Sequence, residues 1–125
     1  MTTAVLKLIN EQLSLWGINY EFGEWTTTPI PYPYFVGSYA KREPLTEDGL
    51  CECDFTLDGF TRGAWLDLEF AKEIIEKVFS NCTRILENGS GVDVSYSGSL
   101  IIPTGDDELK RIQIKLNIKE WKVIE

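Results

Sequence analysis

The chain has no histidine. That absence removes the commonest general acid or base at neutral pH and the commonest metal ligand, and much enzymology goes with it. Cysteine is scarce: Cys51, Cys53 and Cys82 are odd in number and lack a CxxC spacing. Neither a disulfide framework nor a zinc site is indicated, and all three read as reduced thiols. No apolar run approaches the roughly 18 residues that span a bilayer, so no membrane partner is expected. Residues 1–4 lack a basic segment followed by an apolar one, so a cytoplasmic origin is the expectation. Cations are outnumbered 12 to 20, which leaves a net charge of −8. Phosphate backbones are gripped mainly by Lys and Arg releasing counterions, so sequence-specific nucleic-acid binding is disfavoured. The same charge suits a surface that nucleic acid slides past without sticking.

What is present fits one domain spanning residues 1–125. A chain of this length buries roughly two thirds of its unfolded surface, so one core suffices. Over residues 5–16 the apolar Val5, Leu6, Ile9, Leu13 and Trp16 recur at helical spacing, and Gly17 is placed to end that helix. Residues 19–33 mix threonines, prolines and aromatics and read as an extended loop or irregular edge segment. Residues 34–40 read as a strand, and 41–49, with Pro44 and a Thr-Glu-Asp-Gly sequence, as a turn. In residues 51–60 the side chains Cys51, Cys53, Phe55 and Leu57 alternate with Glu52, Asp54, Thr56 and Asp58, which gives one buried and one wet face.

A second helix is expected over 66–82, with Leu68, Ala71, Ile75, Val78 and Cys82 on one stripe and Asp67 and Glu69 in its first turn. The Asn88-Gly89-Ser90-Gly91 turn then leads to strands over 92–102 and 109–123, with Ile112, Ile114, Leu116 and Ile118 alternating with polar residues. The expected fold is therefore α+β. Its order is α-β-β-α-β-β: an antiparallel-rich four-stranded sheet with both helices packed on one face.

Few constellations carry chemistry. Asp54, Asp58, Asp67 and Glu69 are the hard oxygen ligands that a magnesium site needs, yet no positioned lysine accompanies them, and a solvated face explains them as well. Cys51 and Cys53 share a strand face, but without further ligands buried packing is the simpler account. No Gly-rich phosphate loop precedes either helix. No catalytic residue, cofactor or metal is assigned, and the chain is not expected to be an enzyme. Trp25, Tyr32, Tyr34, Phe35 and Tyr39 concentrate aromatic surface beside the proline-rich stretch. Two readings stand for them: an interface, because Tyr and Trp bring area and a polar handle, or a lid folded over the chain's own core. Asp106, Asp107 and Glu108 form an acidic tip between the last two strands, of interest as a contact point.

Three runs carry a resemblance: Pro31-Tyr32-Pro33-Tyr34-Phe35-Val36-Gly37, Thr46-Glu47-Asp48-Gly49, and Phe55-Thr56-Leu57-Asp58-Gly59-Phe60-Thr61-Arg62-Gly63. With the order of helices and hairpins, they resemble the tail-terminator and tail-completion (head–tail joining) proteins of long-tailed phages and prophages of Gram-positive bacteria. The resemblance implies a virion structural protein, assembled in the host cytoplasm, that caps the tail tube as a homo-oligomeric ring, expected to be a hexamer. Its partners would be further copies of itself, the tail tube protein and the head connector. Asp106, Asp107 and Glu108 would then keep passing DNA from adhering. A monomeric, protein-binding adaptor of prophage origin is the alternative, and it predicts a stable monomer whose aromatic loop binds one partner. An enzyme would instead show a deep pocket lined by carboxylates with perturbed pKa values.

Overall fold

The computed structural model describes residues 3–26, 28–29, 31–41, 50–80, 82–86 and 89–121. Two helices and six strands follow in the order α1 (Thr3–Leu15), β1 (Tyr20–Phe22), β2 (Tyr34–Lys41), β3 (Leu50–Thr61), α2 (Trp65–Val78), β4 (Cys82–Ile85), β5 (Gly91–Ile102) and β6 (Lys110–Trp121). The strands form one curled sheet ordered β1-β2-β3-β6-β5-β4. The expected four-stranded sheet and its α-β-β-α-β-β order are therefore corrected. The sheet has six strands and is mixed, because β1 runs parallel to β2 while every other pair is antiparallel.

The two added strands have physical reasons for escaping a reading of periodicity. β1 lies at the start of the stretch expected to be loop, and three residues are too few to show alternation. β4 begins at Cys82, which continues the apolar stripe of α2 when that stripe is extrapolated at helical spacing. The helix in fact stops at Val78. The Phe79 N–H still bonds back to the Ile75 carbonyl, but the Phe79 carbonyl accepts from the Tyr96 N–H at 2.9 Å, which hands the chain to the sheet. The turn expected over 41–49 lies, apart from Lys41, outside the described residues.

Each helix end has a local cause. Gly17, at φ 74°, closes α1: its N–H donates to the Ser14 carbonyl, and the Ile18 N–H reaches back to Leu13 at 2.9 Å. This six-to-one and five-to-two pair satisfies carbonyls that the last turn leaves open. In α2, Asp67 stands in the first turn and Lys77 in the last, each opposite in sign to the helix end it faces.

Alternation sets the core. Cys53, Phe55 and Leu57 of β3 lie opposite Ile118, Leu116 and Ile114 of β6, and all six are buried. Val5, Leu8, Ile9 and Leu13 of α1 and Leu68, Ala71 and Ile75 of α2 pack into the same cluster, so one face of the sheet is inner and the other carries no helix. Burying one such aliphatic side chain is worth about 1.5–3 kcal/mol, and the long central strands β3 and β6 supply much of that. Gly37 and Gly59 face this core for steric reasons. A Cβ on Gly59 would collide with the Phe35 ring, and one on Gly37 would stand 2.6 Å from Phe55 and 2.7 Å from Tyr20.

Candidate functional site

The helix-free outer face is not uniformly wet. Register puts Tyr34 of β2, Phe60 of β3, Arg111 of β6 and Ile102 of β5 in one row across the sheet. The rings of Tyr34 and Phe60 stack at 5.2 Å, and Trp25 and Tyr32 lean on Tyr34 at 5.0 and 5.7 Å between ring centres. The Arg111 guanidinium lies 5.6 Å from the Phe60 ring centre, within reach of a cation–π attraction. It also donates to Asp58 Oδ1 through Nη2 at 2.8 Å and Nε at 3.3 Å, and Gln113 donates to the same oxygen. Asp58 thus anchors the guanidinium beside the ring. The result is a continuous aromatic wall at one end of the outer face.

Arg62, just past β3, ties this wall to the acidic tip. Its guanidinium hydrogen-bonds the Tyr32 phenol, the main cause of its raised pKa, and it stands 3.7 Å from Asp106 and 3.9 Å from Glu108. The Tyr34 phenol is pushed up, first by burial and then by neighbouring Tyr32. Within the tip, Asp106 Oδ1 accepts from the Glu108 N–H at 2.9 Å, and Asp106 and Asp107 line an open cleft with Trp65, Pro103 and Thr104. Arg62 offsets part of the tip's negative charge.

The five aromatics singled out in the sequence therefore do not act together. Trp25, Tyr32 and Tyr34 join the wall. Phe35 is a core side chain, 1% exposed, and presents nothing to a partner. Tyr39 lies on the inner face, stacked with Phe22 at 5.9 Å at the margin of the core. Phe60 and Arg111 belong to the wall and Arg62 adjoins it, although none of the three was singled out as a candidate site residue. The one signal for Phe60 is a large ring at a wet-face position of an otherwise alternating strand. Of the four carboxylates considered for magnesium, Asp54 and Asp58 lie on the outer face of β3, whereas Asp67 and Glu69 are on α2 across the sheet, with Glu69 paired to Lys72 at 2.7 Å. No group of three or more metal-binding side chains occurs among the described residues. Cys51, Cys53 and Cys82 are buried and joined in no disulfide, the Cys53 thiol donates to the Ala40 carbonyl, and burial raises the Cys82 pKa.

The two margins of the sheet are the second feature. On β5, β4 pairs only with residues 91–94, and the Tyr96 N–H is taken by Phe79. After a bulge between Tyr96 and Gly98, residues 97–102 carry no further strand among the described residues. This free half reads Ser-Gly-Ser-Leu-Ile-Ile, without charge or proline, and Leu100 and Ile101 are 45% and 55% exposed. On β2, β1 pairs with residues 35–37, and residues 38–41 are similarly uncovered among the described residues. Natural sheets usually blunt their edges with charge, proline or brevity. β4 and β1 are brief, but the free half of β5 is blunted only by its bulge. Apolar side chains also face away from the core on α2, where Leu66 and Phe70 are well exposed. No family model matches the chain, and no curated protein matches it.

Proposed function

We propose that this protein is a phage virion structural component that assembles in the bacterial cytoplasm and caps the tail tube at the head–tail junction as a homo-oligomeric ring. The observation that carries this reading is the uncharged free half of β5, with Leu100 and Ile101 exposed. Such an edge offers a row of unpaired backbone groups to another strand, and a chain that is meant to stay alone covers or charges it. Exposed Leu66 and Phe70 on α2 supply further apolar area for contacts with the tail tube protein or head connector. The resemblance of residues 31–37, 46–49 and 55–63 to tail-terminator and tail-completion proteins supplies the particular assembly. In it the Asp106–Asp107–Glu108 tip, tempered by Arg62, lies where DNA passes and repels it.

The test is genetic. Deleting the gene from an inducible prophage should give full heads and separate tails, or tails of uncontrolled length, under the electron microscope. Normal, infectious particles from the deletion would contradict the proposal. A second reading, a monomeric adaptor of prophage origin, is favoured by one feature, the contiguous Trp25, Tyr32, Tyr34, Phe60 and Arg111 wall, since Trp, Tyr and Arg dominate binding hot spots. It predicts that Tyr34→Ala abolishes capture of one partner by a chain that stays monomeric.

A further inference from the structure

We infer that copies of this chain join by antiparallel pairing of β5 residues 99–102 in one copy with β2 residues 38–41 in the next, so that successive sheets fuse edge to edge. The inference rests on the ring reading in requiring head-to-tail self-association, and it adds the surfaces that make it.

Strand direction is the first support. β3 and β5 run the same way, opposite to β2 and β6. A second copy kept in the same orientation therefore brings an antiparallel β2 to β5 without being turned over. Like-oriented contacts between two different surfaces are the kind that close into rings.

The shapes of the two margins agree. Tyr34 pairs with Phe60, which pairs with Arg111, which pairs with Ile102, so the start of β2 and the end of β5 lie at the same end of the sheet. β1 covers the start of β2 and β4 covers the start of β5. The two halves left uncovered among the described residues thus lie at opposite ends of the sheet, and each margin is a step. One step seats in the other when neighbouring copies slide by about half a strand, the stagger that tilted strands in a closed sheet require.

Side-chain faces fit the same register. With residue 38 opposite 102 and 39 opposite 101, inner-face Tyr39 meets inner-face Ile101, while outer-face Ser38 and Ala40 meet outer-face Ile102 and Leu100. Tyr39 is 42% and Ile101 55% exposed in the single chain, and Phe22 stacks on Tyr39. The pairing would cover all three. Charge permits it as well: a chain of net charge −8 repels its own copies, yet β5 residues 97–102 carry no charge and the β2 run ends in a lysine. Both halves belong to every copy, so a second copy supplies the matching edge.

Single-cysteine variants separate the alternatives. The native thiols are buried, so a thiol placed at an exposed position reacts first under mild oxidation, and the unmodified chain is the control. Tyr39→Cys mixed with Ile101→Cys should give a dimer band on a non-reducing gel at least tenfold stronger than either variant alone, and the double variant should give a ladder. Ser38→Cys with Ile102→Cys repeats the test on the outer face, should the loss of Tyr39 disturb folding. A dimer from Ile101→Cys alone as strong as from the mixture would mean two-fold pairing of β5 with itself, and would overturn the inference. No cross-link from either pair while rings appear in negative stain would overturn it and leave the ring reading standing. Monomer alone, in variants and unmodified chain alike, would remove both.

Discussion

Gly37 and Gly59 show how closely ring and backbone meet inside this sheet. Phe35 lies against the backbone at Gly59, and Tyr20 and Phe55 lie against Gly37, each closer than a Cβ allows. Gly59→Ala should therefore cost about 1–3 kcal/mol, the usual price of overpacking, and Gly37→Ala a similar amount, read from urea midpoints at unchanged slope. Tyr20 makes a second prediction. Its phenol oxygen is buried without a hydrogen-bond partner among the described residues, and burial pushes its pKa from 10 to about 12. The unfolded chain ionises this phenol near pH 10 and the folded chain does not, so between these values the unfolded state binds fewer protons. Stability should then fall as pH rises from about 10 to 12. Tyr20→Phe should flatten that part of the stability profile relative to the parent chain, and an unchanged slope would mean the phenol is not desolvated. Neither glycine nor Tyr20 announces its role in the sequence, because each role depends on a neighbour brought in by strand pairing.

Among the elements, length decides what could be read in advance. β3 and β6 are 12 residues long with one buried face, so their alternation stands out, and the amphipathic stripes of α1 and α2 do so for the same reason. β1 and β4, of three and four residues, exist through pairing with neighbours and leave no periodic trace. The wall was half legible: Trp25, Tyr32 and Tyr34 stand out as an aromatic run. Phe60 and Arg111 enter it only through the register that sets β2, β3 and β6 side by side, and Phe35 leaves it because neighbouring strand residues point to opposite faces. Two predictions belong here. Asp58→Ala, which strips Arg111 and Gln113 of their shared acceptor, should destabilise by about 1–2 kcal/mol in chemical denaturation, since the pair is only partly buried. Leu100→Lys with Ile101→Lys should change stability by no more than about 0.5 kcal/mol per site, because both are exposed, yet abolish self-association by placing charge on the edge. Association that survives the double lysine variant, followed by sedimentation, would exclude the β5 edge as the contact.

For the whole molecule, two stepped sheet edges stay open in one copy among the described residues, with Phe22, Tyr39, Leu100 and Ile101 exposed beside them. A net charge of −8 keeps single copies apart in dilute solution, and salt screens that repulsion over roughly 10 Å at 0.1 M. Association should accordingly strengthen with ionic strength, unlike a complex held by ion pairs. The most direct test of assembly is the mass in solution by light scattering over a wide range of concentration and salt, with negative-stain images of any large species. A discrete multiple of the 14.2 kDa chain, seen as particles with a central hole, is the expected result. A 14.2 kDa species at every concentration and salt would contradict self-assembly and favour the adaptor.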